Sequence, residues 1–519
     1  MHPCFSVDEN LKLFARGLVA LGAGASAVAL ACCCKSFEGP VLDVLWEIQD
    51  QLIPLLKFFP EDIWEEEDGR FVSPLAAFIF PLFNPFYLKS FRRIPTKAEW
   101  IHSRKHAQRM RKLTVDVSED PVTPDILLAL QLRAVNDHWL PKLETFECEE
   151  AEEGFIPFIP LFLSPLTTEI DIRFDEDTPV VVIASMISRF STLCPNLECI
   201  TLHELPRDPV ITEAVSEMVL ACNRNTLRRF HVDSPLTEEA QQVVYRLPRL
   251  FSLWAVIQRP TSLPTVELPN LTRIDLEYDH HLNWLQGFLG VALEKLEIVA
   301  FHSESEQIGD FLEAFEAVAL TTSVQNTLLE LGFYTSRSWN PNYSSLLSFN
   351  QLKELEIEFS CNGGCSSRVD DDIIISLAGA MPNLEILQLG KAPCKTPTGV
   401  TVNGLIGLAC RCPQLSKLRV HFQAISLADA ATGVVTSSLS GDEPVARRED
   451  CALRVLEVGE THIPMGSAST VAIILLQIFP RLLDVRYTNR KWKAVAKTIK
   501  EFRRIRAFVN RSSKHTHHI

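Results

Sequence analysis

A recurring line of leucines constrains this chain more than any other feature. Leu271, Ile274 and Leu276 stand in the spacing L-x-x-L-x-L. The pattern returns at Leu293/Leu296/Ile298, Leu328/Leu331/Phe333, Leu352/Leu355/Ile357, Leu384/Leu387/Leu389, Leu415/Leu418/Val420 and Leu453/Leu456/Val458. Upstream copies begin at Leu143, Leu197, Leu227 and Leu250, and a last one is Leu482/Val485/Tyr487. The alternating L-x-L end predicts a short strand with one apolar face. Four segments run into a proline just before the next strand: Cys194-Pro195, Met381-Pro382, Cys412-Pro413 and Phe479-Pro480. Proline disfavours helical backbone in the residue before it, so each pair should end a helix and hand the chain to a strand. One such unit cannot bury its own apolar face, so neighbours must stack. The chain therefore reads as an α/β solenoid with parallel short strands and outer helices.

Steps of about 21 to 38 residues between copies bracket the leucine-rich-repeat period and exceed it where a longer helix is inserted. Outer helices are expected over Val180–Cys194, Thr212–Cys222, Leu236–Leu247, Gly309–Leu320, Asp371–Met381 and Val402–Cys412. Gly441 to Asp450, around Ser336–Ser345 and around Ser360–Asp370 read as loops, where solenoids commonly carry recognition. The whole divides into a helical segment 1–60, a connector 61–110, a repeat array 111–488 and a basic tail 489–519. At 519 residues, a repeat array can absorb most of the chain as one unit.

Forty-six per cent hydrophobic and 22% charged residues are those of an ordinary folded chain. A net charge of −15 weighs against nucleic acid as a main partner, since a phosphate-binding surface is usually basic. Of the 14 cysteines, most fall at apolar repeat positions such as Cys148, Cys194, Cys199, Cys222, Cys410 and Cys412. Free cysteine there behaves as a small hydrophobe. The expected compartment is reducing, cytoplasmic and/or nuclear.

Leu18 to Cys34 is a run of 17 residues without a charge, behind Lys12 and Arg16 and with a cleavage-like Ala29-Leu30-Ala31. It imitates a secretory signal peptide, but Asp8 and Glu9 precede it and the apolar run starts late. It is also shorter than the roughly 20 residues that span a bilayer, so no membrane segment is expected. Residues 1–60 read instead as three helices. Leu11, Phe14, Ala15 and Leu18 recur at helical spacing behind Asp8-Glu9, Ala25 to Phe37 makes a second, and a third begins at Pro40 and ends at Pro60.

Ala31-Cys32-Cys33-Cys34-Lys35-Ser36-Phe37 followed by Pro40-Val41-Leu42-Asp43-Val44-Leu45-Trp46 resembles the second half of an F-box. Leu55 to Trp64, Arg93-Ile94-Pro95, Glu99-Trp100 and Ala107 to Leu113 continue like fungal F-box proteins with C-terminal leucine-rich repeats, as do Leu456 to Gly459 and Ile478-Phe479-Pro480. The resemblance implies a three-helix F-box followed by an irregular repeat array. It implies a Skp-type adaptor of a cullin–RING ubiquitin ligase as one partner and a protein substrate, of unknown identity, as the other. Carried over by position, the adaptor-facing residues would be Pro3, Leu11, Phe14, Leu18, Cys34, Phe37, Leu42, Leu45 and Trp46. The chain departs from the family at its start, where His2-Pro3 replaces Leu-Pro, and in the glycine-bearing joint Leu21 to Ala25.

In the connector, Glu65 to Gly69 is an acidic loop, and Phe78, Phe80, Phe83, Phe86, Tyr87 and Phe91 crowd among Pro74, Pro81 and Pro85 without a counterpart in the family. Glu147 to Glu153 is a second acidic run that a basic substrate could use. At the far end, Arg490 to Arg506 is basic around a stripe of Trp492, Val495, Ile499 and Phe502, an amphipathic helix that would cap the array. Cys361 and Cys365 lack a second pair at zinc spacing, Gly363-Gly364 lacks a following Lys-Ser/Thr, and neither G-x-S-x-G nor H-E-x-x-H occurs. No catalysis, cofactor or metal is expected. A repeat scaffold without a ligase role and a secreted repeat-binding protein are the other readings the residues permit.

Overall fold

The computed structural model describes residues 8–64, 90–118, 122–134, 138–257, 268–278, 292–300, 315–316, 324–335, 342–359, 369–390, 399–424, 451–459, 461, 463 and 466–515. The chain forms two compact units, residues 1–256 and 257–519.

The first unit opens with helices α1 (Asp8–Ala20), α2 (Gly24–Cys33) and α3 (Lys35–Leu45). The joint after α1 is ordered. Gly22 takes φ +71°, and the N–H groups of Gly22 and Ala23 donate to Val19 and Leu18 carbonyls, a Schellman cap that only glycine enters without strain. The second helix stops at Cys33, because Cys34 is extended (φ −160°, ψ 139°) and starts α3, so Phe37 belongs to the third helix and not to the second. That third helix ends at Leu45, well before Pro60. Ala15, Ala27, Ala31, Val41 and Val44 form the small core of the three helices, with Leu18, Leu30, Phe37 and Leu45 packed against it.

Strands follow in chain order: β1 (Ile48–Gln49), β2 (Lys112–Asp116), β3 (Thr145–Ala151), β4 (Glu169–Phe174), β5 (Cys199–His203), β6 (Arg229–Pro235) and β7 (Ser252–Ile257). Each pairs in parallel with its sequence neighbours. The ladder thus begins inside residues 1–60, where Gln49 registers with Leu113. The connector also contributes a helix, Lys97–Ala107, opened by a capping box between Thr96 and Glu99. Leu113, Phe146, Ile170, Ile200, Phe230 and Leu253 stand in one register line, each fully buried.

The strand β4 belongs to a repeat that the leucine spacing does not reveal. Thr167 occupies the leading-leucine position, fully buried, and its hydroxyl donates to the Leu143 carbonyl at 3.0 Å. A hydrogen-bonded hydroxyl substitutes for a hydrophobe here because its polar atom is satisfied.

The second unit carries β8 (Arg273–Tyr278), β9 (Lys295–Ala300), β10 (Glu330–Thr335), β11 (Glu354–Phe359), β12 (Ile386–Leu389), β13 (Lys417–Arg419), β14 (Val455–Gly459) and β15 (Asp484–Tyr487). These too pair in parallel with their neighbours. The line Ile274, Leu296, Leu331, Leu355, Leu387, Leu418, Leu456 and Val485 is buried throughout. Each leading leucine from Leu271 to Leu482 is buried as well.

The proline stops act as expected. Helices end at Leu193, Ala380, Arg411 and Ile478, and the pre-proline residues share nearly one backbone conformation. Cys194, Met381, Cys412 and Phe479 lie at φ between −115° and −128° and ψ between 68° and 80°. The expected outer helices stand at Pro209–Ala221, Glu238–Val244, Asp371–Ala380 and Val402–Arg411. The one expected over 180–194 is split into Val180–Ile187 and Phe190–Leu193. Of Gly309–Leu320 only residues 315–316 are described.

Asp370 caps its own helix, while Asp371 reaches to the next repeat and accepts from the Thr401 and Gly404 N–H groups at 2.7 and 3.0 Å. Gly404 allows this approach, since a Cβ there would collide with the Asp371 carboxylate. The last helix, Trp492–His515, lays Trp492, Val495 and Ile499 on the end of the array, all fully buried, but leaves Phe502 exposed. The Trp492 indole donates to the Thr461 carbonyl at 2.7 Å, and Arg503 donates to the Pro480 and Leu482 carbonyls. Polar groups of the last repeat are thereby covered.

Candidate functional site

The candidate surface features lie on the N-terminal helices and on the outward positions of the strands in each unit.

The residues expected to face an adaptor do not all lie at the surface. Leu11 is buried, and Leu18, Phe37 and Leu45 pack against the three-helix core. Leu42 is half-buried. Trp46 is half-buried too, with Phe58 and His106 rings 5.3 and 5.2 Å away. It therefore joins α3 to the helix Lys97–Ala107. Burial first, and the Arg109 cation next, hold the His106 imidazole below its usual pKa. Cys34 is half-buried, and its Sγ lies 2.8 Å from the Ser36 hydroxyl, which lowers the thiol pKa. Phe14 is exposed, at 48%. Pro3 falls outside the described residues, as do the acidic loop 65–69, nearly all of the aromatic insert, the Cys361–Cys365 segment and the loop 441–450.

Most of the other exposed apolar residues are ones the family pattern does not single out. Leu13 (64% exposed), Val19, Leu21 (83%) and Val28 join Phe14 on α1, its cap and α2. Phe14, Gly17 and Leu21 are spaced i, i+3, i+7 along one side of α1. The signal was in the sequence: once Leu11, Ala15 and Leu18 are assigned inward, Leu13 falls on another side of the helix.

On the strands, residues between the two leucines of L-x-L point away from the core and pair across neighbouring strands. In the first unit, Glu147 accepts from Lys112 and Thr114 at 2.6 and 2.9 Å. His203 sits between Asp171 at 3.8 Å and Asp233 at 3.7 Å, and these carboxylates raise its pKa, Asp233 most. Burial raises the Asp171 carboxyl in turn. The Trp254 ring lies beside His203 and His231, and its indole N–H is buried without a partner.

In the second unit the ladder turns acidic. Lys295 bridges Glu297 and Glu330 at 2.7 and 2.8 Å. Tyr334 donates to Glu356 at 2.8 Å, and Gln388 donates to the same carboxylate from the next strand. Gly332 gives Tyr334 the room to lie there, since a Cβ at that position would strike its ring. Glu354, half-buried beside Glu330, has its carboxyl raised by burial first and by that neighbour next. Arg419 binds Glu358 and Glu457 together. Across β9 to β11, carboxylates outnumber the single Lys295 on these outward positions. These positions follow from the repeat spacing, but their chemistry only emerges from register.

Among the described residues no group of three or more His, Cys, Asp or Glu side chains could hold a metal ion. Nor is any helix among them long and apolar enough to cross a membrane. The ten described cysteines are free thiols, and burial pushes Cys194 and Cys412 up to about 12.

No family model matches the chain, and no curated protein matches it. Among solved structures it is similar to one described as the crystal structure of the Rad7 and Elc1 complex in yeast. The identity is 15% over 63% of this chain and 77% of that one, with a TM-score of 0.30, too slight to bear on what this chain does.

Proposed function

We propose that the chain is a non-catalytic substrate receptor of an SCF-type cullin–RING ubiquitin ligase, acting in the cytoplasm and/or nucleus. Its N-terminal F-box-like helices dock a Skp-type adaptor, and its leucine-rich repeats hold a protein substrate. Supporting this are the exposed apolar side chains of α1, its cap and α2, namely Leu13, Val19, Leu21 and Val28. Exposed apolar patches on a helical cluster mark interaction sites. The acidic outward positions of β9 to β11 suit a substrate with basic side chains.

Removing residues 1–60 is a poor test, because it deletes Ile48–Gln49 and with them the first strand of the sheet. Leu13→Glu and Leu21→Glu leave the core intact, since both side chains are exposed. The full chain should copurify with the adaptor and the double variant should not, with matching circular dichroism and elution volume. A well-folded full chain that captures no adaptor would refute the receptor reading and leave a repeat scaffold.

A further inference from the structure

Beneath the N-terminal helices lies a cavity of about 450 Å³, within the size range of small-molecule sites. It is lined by five cations, Lys12, Arg16, Arg109, Arg111 and Lys142, and by two carboxylates, Asp43 and Glu47. This local excess of positive charge stands in a chain whose net charge is −15. The cations come from separate places in the fold: α1, the segment after helix Lys97–Ala107 that leads into β2, and the turn before β3.

The two carboxylates are already engaged. Asp43 takes Lys12 at 2.9 Å and also Arg109, and Glu47 takes Arg16 through two guanidinium nitrogens. Arg111 binds Glu144 through one nitrogen only, at 2.7 Å. Lys142 makes no hydrogen bond or ion pair among the described residues, and the Arg109 Nε is buried without a partner. Two of the five cations, Arg111 with a single ion pair and Lys142 with none among the described residues, therefore keep N–H donors in the wall of this cavity. Converging like charges in a concave wall focus a field that draws a multivalent anion. Guanidinium forks match phosphate oxygens in geometry, and a lysine adds a point charge.

We propose that this cavity binds a small polyanion carrying two or more phosphate groups, which ties the N-terminal helices to the first strands of the array. The ligand bridges α1 and the entry to β2, so it should also raise the stability of that junction.

The test uses the full chain and tripolyphosphate as the probe, followed by isothermal titration calorimetry and thermal melting. One site is expected, weakened by added NaCl, with orthophosphate binding far more weakly and the melting temperature rising with tripolyphosphate. Lys142→Ala should weaken binding about tenfold, and adding Arg111→Ala should weaken it further. Both side chains are at least partly exposed, so the fold should persist, checked by circular dichroism. Lys493→Ala with Lys497→Ala, on the basic C-terminal helix, should leave the affinity unchanged. Absence of saturable binding, or affinity unchanged by the cavity variants, would overturn the proposal. So would hexaglutamate binding more tightly than tripolyphosphate, which would assign the cavity to an acidic protein segment.

Discussion

Replacing Asp275 by Asn should stabilise the protein, and by an amount that depends on pH. The Asp275 side chain is 1% exposed; its Oδ2 accepts from Arg273 Nε at 2.9 Å, while Oδ1 is buried without a partner. Burial and, next, the Glu297 carboxylate raise its pKa from 3.8 to about 6, against the pull of Arg273 and Lys295. A carboxyl whose folded pKa lies above its unfolded value holds its proton longer in the native state. Stability therefore falls as pH rises between about 4 and 6, and the full cost stands above that window. At roughly 1.4 kcal/mol per unit, the ionised carboxylate costs on the order of 3 kcal/mol at pH 7.5 and about 1 kcal/mol at pH 4.5. Asparagine keeps an acceptor for Arg273 and removes the charge. Urea unfolding followed by circular dichroism should show Asp275→Asn more stable than the parent, with a gain about 2 kcal/mol larger at pH 7.5 than at pH 4.5. A variant less stable at both pH values would refute the reasoning, and would mean that the ion pair with Arg273 outweighs burial.

The strand alternation gives a second expectation: Leu355→Ala, in the middle of the buried line, should cost about 3–5 kcal/mol in urea unfolding, while Glu356→Gln one position along should cost far less. Thr167→Val should destabilise by about 1–3 kcal/mol, because it leaves the buried Leu143 carbonyl without the Thr167 hydroxyl. Glu99 is held at about 2, below its ordinary 4.5, chiefly by Arg93. Its contribution is present above the ordinary value and lost as pH falls toward 2, so the melting temperature of Glu99→Gln should lie below the parent at pH 7 and converge with it in acid.

The strands were readable from sequence because L-x-x-L-x-L encodes both the alternation and the leading residue, and the parallel register lines up those same positions from Ile274 to Val485. The repeat at Thr167 was not, because a satisfied hydroxyl occupies a leucine position. Nor was β1, whose two residues lie in a run, Val41 to Leu55, that has helical spacing throughout. What breaks that helix is the pairing of Ile48 and Gln49 with β2, a contact distant in sequence. At the N-terminal site, family positions mark the packed side of the helices, Leu11, Leu18, Phe37 and Leu45, as well as the exposed Phe14. Periodicity alone could not separate these faces, since α1 carries leucines on both. The basic cavity was out of reach because its residues converge from segments more than a hundred positions apart.

Hydrogen–deuterium exchange on the full chain, with and without a Skp-type adaptor, tests the central claim most directly. Adaptor docking on the exposed apolar side chains of α1 and α2 predicts added protection of amides in residues 8–33, with the outward strand positions of β9 to β11 unchanged. Stable adaptor binding with no added protection in α1 and α2, or protection confined to the repeats, would contradict the account.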